Sequence, residues 1–286
     1  MKENTISKQL NKATAQLEAA GIDTARLDAE VLLAYVLNTR RLALYVHVAK
    51  ELKPEQVARY ENLIQRRLER VPVAYLVGHK EFMGLNFAVT PDVLIPRPDT
   101  EVLAQGVIEH LQDFSGRAIN IADIGTGSGA ICISILKFLD NAVADAVDVS
   151  AKALDIARFN AEKFNVNDRI VFHEGSLFEP LAGKKFDVVI SNPPYVLSGD
   201  MESLQPEVSR EPKIALDGGS DGLNFYREII DAAPKFLNDN GFLALEVGAN
   251  QSDAVIKLIN DGGAFSYTQI WKDLANIERV VAAWKK

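Results

Sequence analysis

Between residues 119 and 139 the chain passes from an apolar strand, through three alternating glycines, into an apolar helix. Ile119 to Ile124 is apolar except for Asn120 and Asp123, and Gly125-Thr126-Gly127-Ser128-Gly129 then leads into Ala130 to Leu139. Strand, glycine loop and helix in this order aim backbone N–H groups at a ligand on the helix N-terminus, at the carboxyl end of a sheet. Glycine lets that ligand approach the backbone closely. The spacing is G-x-G-x-G, so it is not the G-x-G-x-x-G dinucleotide fingerprint, and no G-K-[ST] follows to hold a triphosphate.

A second strand, Ala142 to Val147, ends in Asp148, 19 residues after Gly129. An acid at this distance meets the hydroxyls of a free ribose and disfavours a 2′-phosphate; a solvated strand end is the plainer account. Ser150 can cap a helix running to about Phe164. The alternation continues: strands at 169–173 and 186–191, a helix at 222–238, a strand at 242–247, a helix at 250–260, and strands near 266–271 and 278–284. This predicts an α/β fold, a mostly parallel sheet with helices on both faces.

The strand Phe186 to Ser191 runs into Asn192-Pro193-Pro194-Tyr195. Two prolines fix φ and remove two N–H donors, so the corner is stiff. The Asn192 side chain offers one acceptor and one NH2, and Tyr195 adds a flat ring. The set suits a planar guest that carries its own NH2. An ordinary Pro-rich turn started by Asn is the alternative.

Glycine loop, ribose acid and Asn-Pro-Pro-Tyr on successive strands resemble the S-adenosylmethionine-dependent methyltransferases that modify an NH2 on a planar group. Leu94-Ile95-Pro96-Arg97-Pro98-Asp99-Thr100-Glu101 precedes the first core strand, and Glu211-Pro212-Lys213-Ile214-Ala215-Leu216-Asp217-Gly218-Gly219 and Asp221 to Tyr226 follow the tetrapeptide. From about Pro72 onward the chain resembles the protein N5-glutamine methyltransferases of the HemK/PrmC type. The resemblance implies a Rossmann-like sheet and S-adenosylmethionine as cofactor. It implies as substrate the glutamine of the Gly-Gly-Gln loop in class-1 peptide chain release factors. The Asn192 oxygen and the Pro193 carbonyl would accept hydrogen bonds from the amide NH2, with Pro194 stiffening the corner and Tyr195 against the amide plane. Cofactor contacts would fall on Gly125, Thr126, Gly127, Ser128, Gly129, Asp148, Ser176, Leu177 and Asn192. At Ser176 and Leu177 the chain departs from many relatives, which carry an acid and often an aromatic there; Glu174 is near enough in sequence to substitute. Glu246, ending the strand 242–247, could face the pocket or form a salt-bridged strand end. Adenine-N6 DNA methyltransferases share the tetrapeptide, a ribosomal-protein glutamine methyltransferase shares the chemistry, and a non-catalytic binding module would share only the fold.

Charge bears on the choice. The net charge is −8, but residues 1–90 hold 13 basic and 10 acidic side chains, +3, and the remainder 18 and 29, −11. An acidic catalytic half repels a phosphate backbone, which argues against a nucleic-acid substrate. No apolar run is long enough for a membrane span, and Met1-Lys2-Glu3-Asn4 begins no signal peptide. With a single cysteine, Cys132, there is no internal disulfide; the residue sits in an apolar helix and reads as core. The four histidines share no ligand spacing, so no metal is expected. A cytoplasmic monomer is the expectation.

Three parts are expected along the chain. Residues 1–72 form a helical bundle, by resemblance a substrate-recognition domain and otherwise a structural support. Ile6, Leu10, Ala13 and Leu17 recur at helix spacing, as do Val57, Tyr60, Ile64 and Leu68 after Pro54. Residues 73–98 form a connector with a β-hairpin in 81–89. Residues 99–286 form the methyltransferase domain. Within it, 196–220 lacks periodicity and is expected to border the substrate groove. Arg97 and Asp99 could line the cofactor entrance; Asp99 or Thr100 as a helix cap is the simpler account.

Overall fold

A computed structural model describes residues 4–112 and 117–286. The start of the chain, Met1 to Glu3, lies outside the described residues. The chain divides into two compact units: residues to 79 with Gln205–Arg210, and Lys80–Leu204 with Glu211–Lys286.

The first unit is helical: α1 Ile6–Ala19, α2 Ala25–Val36, α3 Arg41–Val46, α4 Pro54–Leu68 and α5 Val73–Val77. Its core is the apolar stripe read from the sequence, Ile6, Leu10, Ala13 and Leu17 against Leu32, Leu33, Tyr60 and Ile64. Gly21 takes a left-handed φ of 68° just after α1, and Pro54 opens α4. Both positions obey the preference for glycine after a helix and proline in its first turn. Arg67 is buried here and paired with Asp28 at 2.8 Å and Glu207 at 2.7 Å. Glu207 belongs to the short segment that returns to this unit from the middle of the chain. Helices α3 and α5 were not legible as helices; at six and five residues each is too short to show a period.

The second unit opens within the first strand of a hairpin, β1 His79–Phe82 and β2 Leu85–Ala88. Met83 and Gly84 between them both have positive φ, 51° and 73°, as a two-residue primed turn requires. Then follow α6 Glu101–Leu111, β3 Ile119–Ile124, α7 Ala130–Phe138, β4 Ala142–Asp148, α8 Ala151–Lys163, β5 Ile170–Glu174 and β6 Phe186–Ser191. The chain closes with α9 Asn224–Ala232, β7 Leu237–Glu246, α10 Ser252–Gly262, β8 Phe265–Lys272 and β9 Glu278–Lys285. The seven-stranded sheet runs β5-β4-β3-β6-β7-β9-β8, and β9 is antiparallel to both its neighbours. Strand order reverses between β3 and β6, which places the switch point, where α/β sheets bind ligands, at the ends of these two strands. One buried cluster, with Leu103, Val107, Ile133 and Leu136, covers one face of the sheet; another, with Tyr226, Ile229, Val255 and Ile259, covers the other.

One expectation needs correction. The helix expected over 222–238 stops at Ala232, where a 3-10 turn containing Pro234 takes over, and β7 already starts at Leu237. Proline cannot donate to the helix ladder, so the regular helix ends six residues before the expected boundary. The irregular 196–220 stretch contains three short 3-10 turns, at Ser198–Ser203, Val208–Arg210 and Lys213–Ala215.

Candidate active site

The site begins with the register of four parallel strands. Ile124 pairs with Val147 and with Ser191, and Ser191 with Leu245. The residues that follow these positions therefore emerge side by side at one end of the sheet. They are Gly125 from β3, Asp148 from β4, Asn192 from β6 and Glu246 from β7. The Ser191 hydroxyl donates to the Ile124 carbonyl at 2.7 Å and ties the tetrapeptide's root to the root of the glycine loop.

A cleft of about 920 Å³, its open mouth included, lies over these strand ends. That is the size of a cofactor site. Gly125, Gly127, Asp148, Ser176, Leu177, Asn192, Pro193 and Pro194 all line it. Thr126, Ser128, Gly129 and Tyr195 are not among its lining residues. Thr126 instead donates to Asp123 at 2.7 Å beneath the loop. The Ser128 carbonyl accepts from Asn160 at 2.9 Å, and Asn160 also clasps Ala88 through both halves of its amide. Gly129 is left-handed at the start of α7, where a Cβ would meet Ile133 at 2.6 Å. These three hold the loop's shape. Gly125 and Gly127 differ: their φ values are +75° and +55°, and an added Cβ would meet nothing within 4 Å.

Asp148 orders the floor of the cleft. One carboxylate oxygen accepts the Gly127 N–H at 2.8 Å and the other the Ser150 N–H at 2.9 Å. Burial raises its pKa, while those N–H groups pull it back. Each oxygen keeps a lone pair for a hydroxyl donor. The Ser150 side chain caps α8 by accepting from Ala153 at 3.2 Å. Ser176 and Leu177 line the neighbouring wall after β5; Glu174 does not.

The diproline corner is clamped from behind. The Val196 N–H donates to the Leu216 carbonyl at 2.9 Å and the Gly218 N–H to the Val196 carbonyl at 2.8 Å. A Cβ on Gly218 would sit 2.7 Å from the Pro194 oxygen, so only glycine permits this approach. Gln251 donates to the Tyr195 carbonyl at 3.1 Å. The Tyr195 ring packs on the core behind the sheet. Its pKa is pushed up to about 12, first by burial and then by the charge on Glu246, so it stays a neutral phenol. In front, Asn192 donates through Nδ2 to the Thr100 hydroxyl at 3.3 Å.

Neither Asp99 nor Thr100 caps α6 with its side chain. Asp99 pairs with Arg279 at 2.9 Å, and Thr100 is buried against Asn192. Arg97 pairs with buried Glu211, which also accepts the Ile95 N–H at 2.9 Å. Glu211 thus binds the segment before α6 to the segment after the tetrapeptide. Asp92, Val93 and Leu94 from the first, and Pro212, Ile214 and Ala215 from the second, line the cleft. The expectation that 196–220 borders the groove holds for Pro212, Ile214 and Ala215; the individual lining residues, the wall from Asp92 to Leu94, and Asn160 were not foreseen. The available signal was Ile214, an apolar side chain inside a stretch with no period.

The residues present suit S-adenosylmethionine. The two glycines present bare backbone, the adjoining carboxylate is held by main-chain N–H groups, and the walls are largely apolar. Among the described residues there is no group of His, Cys, Asp and Glu placed to hold a metal, and no helix is long and apolar enough to cross a membrane.

Comparison with known proteins agrees with this geometry. Residues 8–78 match a family model described as the PrmC N-terminal domain, and residues 100–208 match the methyltransferase small domain. A release factor glutamine methyltransferase from Geobacter sulfurreducens is 43% identical over 278 residues, covering 97% of this chain and 95% of the relative. Another, from Moorella thermoacetica, is 40% identical and covers 99% of each chain. The crystal structure of a methyltransferase from Pyrococcus furiosus superposes with a TM-score of 0.51 at 22% identity, covering 79% of this chain and 98% of that one, a likeness of fold. At this identity over nearly the whole of both sequences, the chain belongs to the release factor glutamine methyltransferase family, whose methyl donor is S-adenosylmethionine.

Proposed function

We propose that this protein transfers a methyl group to the side-chain nitrogen of the glutamine in the Gly-Gly-Gln loop of class-1 peptide chain release factors, acting as a cytoplasmic monomer. One observation carries the reading: Asn192 and Pro193 line the same cleft as Gly127 and Asp148. The acceptor group and the cofactor cradle thus share one space.

When bound, S-adenosylmethionine supplies an electrophilic methyl group on a positively charged sulfur. Gly125 and Gly127 give it bare backbone, Asp148 takes its ribose hydroxyls, and Ser176 and Leu177 flank its base. The substrate end follows from the corner's donor count. Pro193 and Pro194 have no N–H, and the Asn192 NH2 is turned to Thr100. What remains is acceptor: the Asn192 oxygen and the Pro193 carbonyl. Two acceptors suit an NH2 and reject a carbonyl or carboxylate. An amide nitrogen is a weak nucleophile because its lone pair is delocalised into the carbonyl. Holding both its protons fixes the direction of the lone pair, and such positioning lowers a barrier by up to about 7–11 kcal/mol in favourable cases. Tyr195 is neutral; with its ring packed on the core and outside the cleft lining, it serves by anchoring the corner rather than by meeting the amide plane.

The acidic second half disfavours a DNA or RNA substrate. Mass spectrometry tests the reading. Incubation of the enzyme and S-adenosylmethionine with a release factor should add one methyl to the Gly-Gly-Gln glutamine and none to unmethylated DNA or ribosomal protein. Methylation of DNA alone, or of no release factor, contradicts it.

A further inference from the structure

Glu246 stands beside the amide holder for a topological reason. β6 and β7 are parallel neighbours with Ser191 opposite Leu245, and one step further along each strand are Asn192 and Glu246. Glu246 is buried, and no hydrogen bond reaches its Oε2. Buried carboxylate oxygens are seldom left without a partner, and an exception calls for a role.

Groups from every neighbouring element face this carboxyl. Asp99 and Thr100 come from the turn before α6, Asn192 and Tyr195 from the end of β6, Arg279 from β9 and Tyr226 from α9. Burial is the largest influence and pushes the carboxyl up to about 7. The charge on Asp99 adds to that rise, and Thr100, Arg279 and Asn192 oppose it. Arg279 is already shared between Asp99 and Asp273. The Tyr226 hydroxyl is committed to the Glu246 backbone carbonyl at 2.9 Å.

We propose that Glu246, together with Thr100, is a positioning residue that decides which end of the Asn192 amide meets the substrate. Nδ2 carries two N–H groups. One goes to the Thr100 hydroxyl; the ionised carboxylate beside it takes the second. With both donors occupied, only Oδ1 is presented to the glutamine NH2. A flipped amide would set its oxygen against the carboxylate, acceptor against acceptor, and is disfavoured. A protonated Glu246 loses this discrimination, because its O–H can donate to Oδ1 and hold the amide the wrong way round. Presentation of the acceptor is therefore gated by the charge on Glu246. This inference rests on the reading of Asn192 as the holder of a glutamine NH2.

The test uses the full-length enzyme, a release factor and saturating S-adenosylmethionine, with single-turnover rates measured across pH. For wild type the rate is expected to rise about tenfold per pH unit below about 7 and then level off. Glu246→Gln should lower the plateau by about tenfold or more and abolish the rising limb, while S-adenosylmethionine affinity by calorimetry stays within about twofold. Its melting temperature at alkaline pH should equal or exceed that of wild type, because a buried charge is gone. A merely structural Glu246 would, on substitution, lower the melting temperature and leave the pH profile alone. Thr100→Val supplies a second arm: a lower plateau with the limb retained. A Glu246→Gln enzyme with the wild-type plateau and limb, or a Thr100→Val enzyme with the wild-type plateau, overturns the inference. Wild type that methylates no release factor overturns the functional reading instead.

Discussion

The Asp148 carboxylate accepts the Gly127 N–H at 2.8 Å across the mouth between β3 and β4. One side chain therefore shapes the glycine loop and offers its remaining lone pairs to a ligand. Asp148→Ala removes both functions. A hydrogen bond to a charged group contributes about 1.5–3 kcal/mol, so S-adenosylmethionine affinity should fall by about ten- to a hundredfold. Titration calorimetry checks this; an unchanged Kd would show that the ribose lies elsewhere.

Two of the loop glycines should fail in different ways. Gly127→Ala introduces no clash within the protein, only the strain of a left-handed alanine, about 1–2 kcal/mol. Its Cβ would project into the cleft, so cofactor binding should be lost from a protein that still melts cooperatively. Gly129→Ala puts a Cβ 2.6 Å from Ile133 and should lower the melting temperature more. Thermal melts and cofactor titration of the two variants separate the cases. Equal melting temperatures would contradict the assignment.

Glu211 is the fastener of the cleft wall. Its removal leaves the Ile95 N–H without its acceptor and Arg97 without its partner. Glu211→Ala should destabilise by about 1–3 kcal/mol, less than a fully buried pair would, because Arg97 is one-third exposed. Protease sensitivity should rise around residues 92–97 and 212–215. Denaturant unfolding and limited proteolysis measure both effects.

Asp123 gives stability a pH dependence of definite sign. Burial is the main cause that raises its pKa from 3.8 to about 6, against the Thr126 hydroxyl bond. Between those values the native protein keeps a proton that the unfolded chain has released. Stability from this group is therefore full below about 4, falls as pH rises to about 6, and is flat above. Asp123→Asn should melt like wild type at the acid end and higher than wild type at neutral pH. Melting curves of cofactor-free protein at several pH values check this. A lower melting temperature at neutral pH would contradict it.

Much of the catalytic half was legible because its central strands, β3, β6 and the second half of β7, are short apolar runs buried between helices. The parallel sheet, the glycine loop and the capping Ser150 lie where periodicity and turn chemistry place them. The end of α9 was misjudged because Ala232, Ala233 and Pro234 continue an apolar pattern that proline stops. The cleft walls were legible only in part: the stretch 196–220 was expected to border the groove, and Pro212, Ile214 and Ala215 do line the cleft, but nothing marked Asp92 to Leu94 as the facing wall. Asp92 to Leu94 and Pro212 to Ala215 have no regular period, and they meet only because Glu211 reaches Ile95 and Arg97 across more than a hundred residues. Asn160 hid for a similar reason. One buried polar residue in an amphipathic helix gives no sign that it joins Ala88 to Ser128. The tetrapeptide's chemistry could be read from residue types, but the Thr100 contact that turns its amide needed coordinates.

The most direct test of the central claim is single-turnover methyl transfer by Asn192→Ala on a release factor, with S-adenosylmethionine binding measured in parallel. Loss of one positioned polar group costs about a hundred- to a thousandfold in rate. The expected result is a loss of that size with cofactor affinity within about threefold of wild type. Transfer at the wild-type rate would contradict the account.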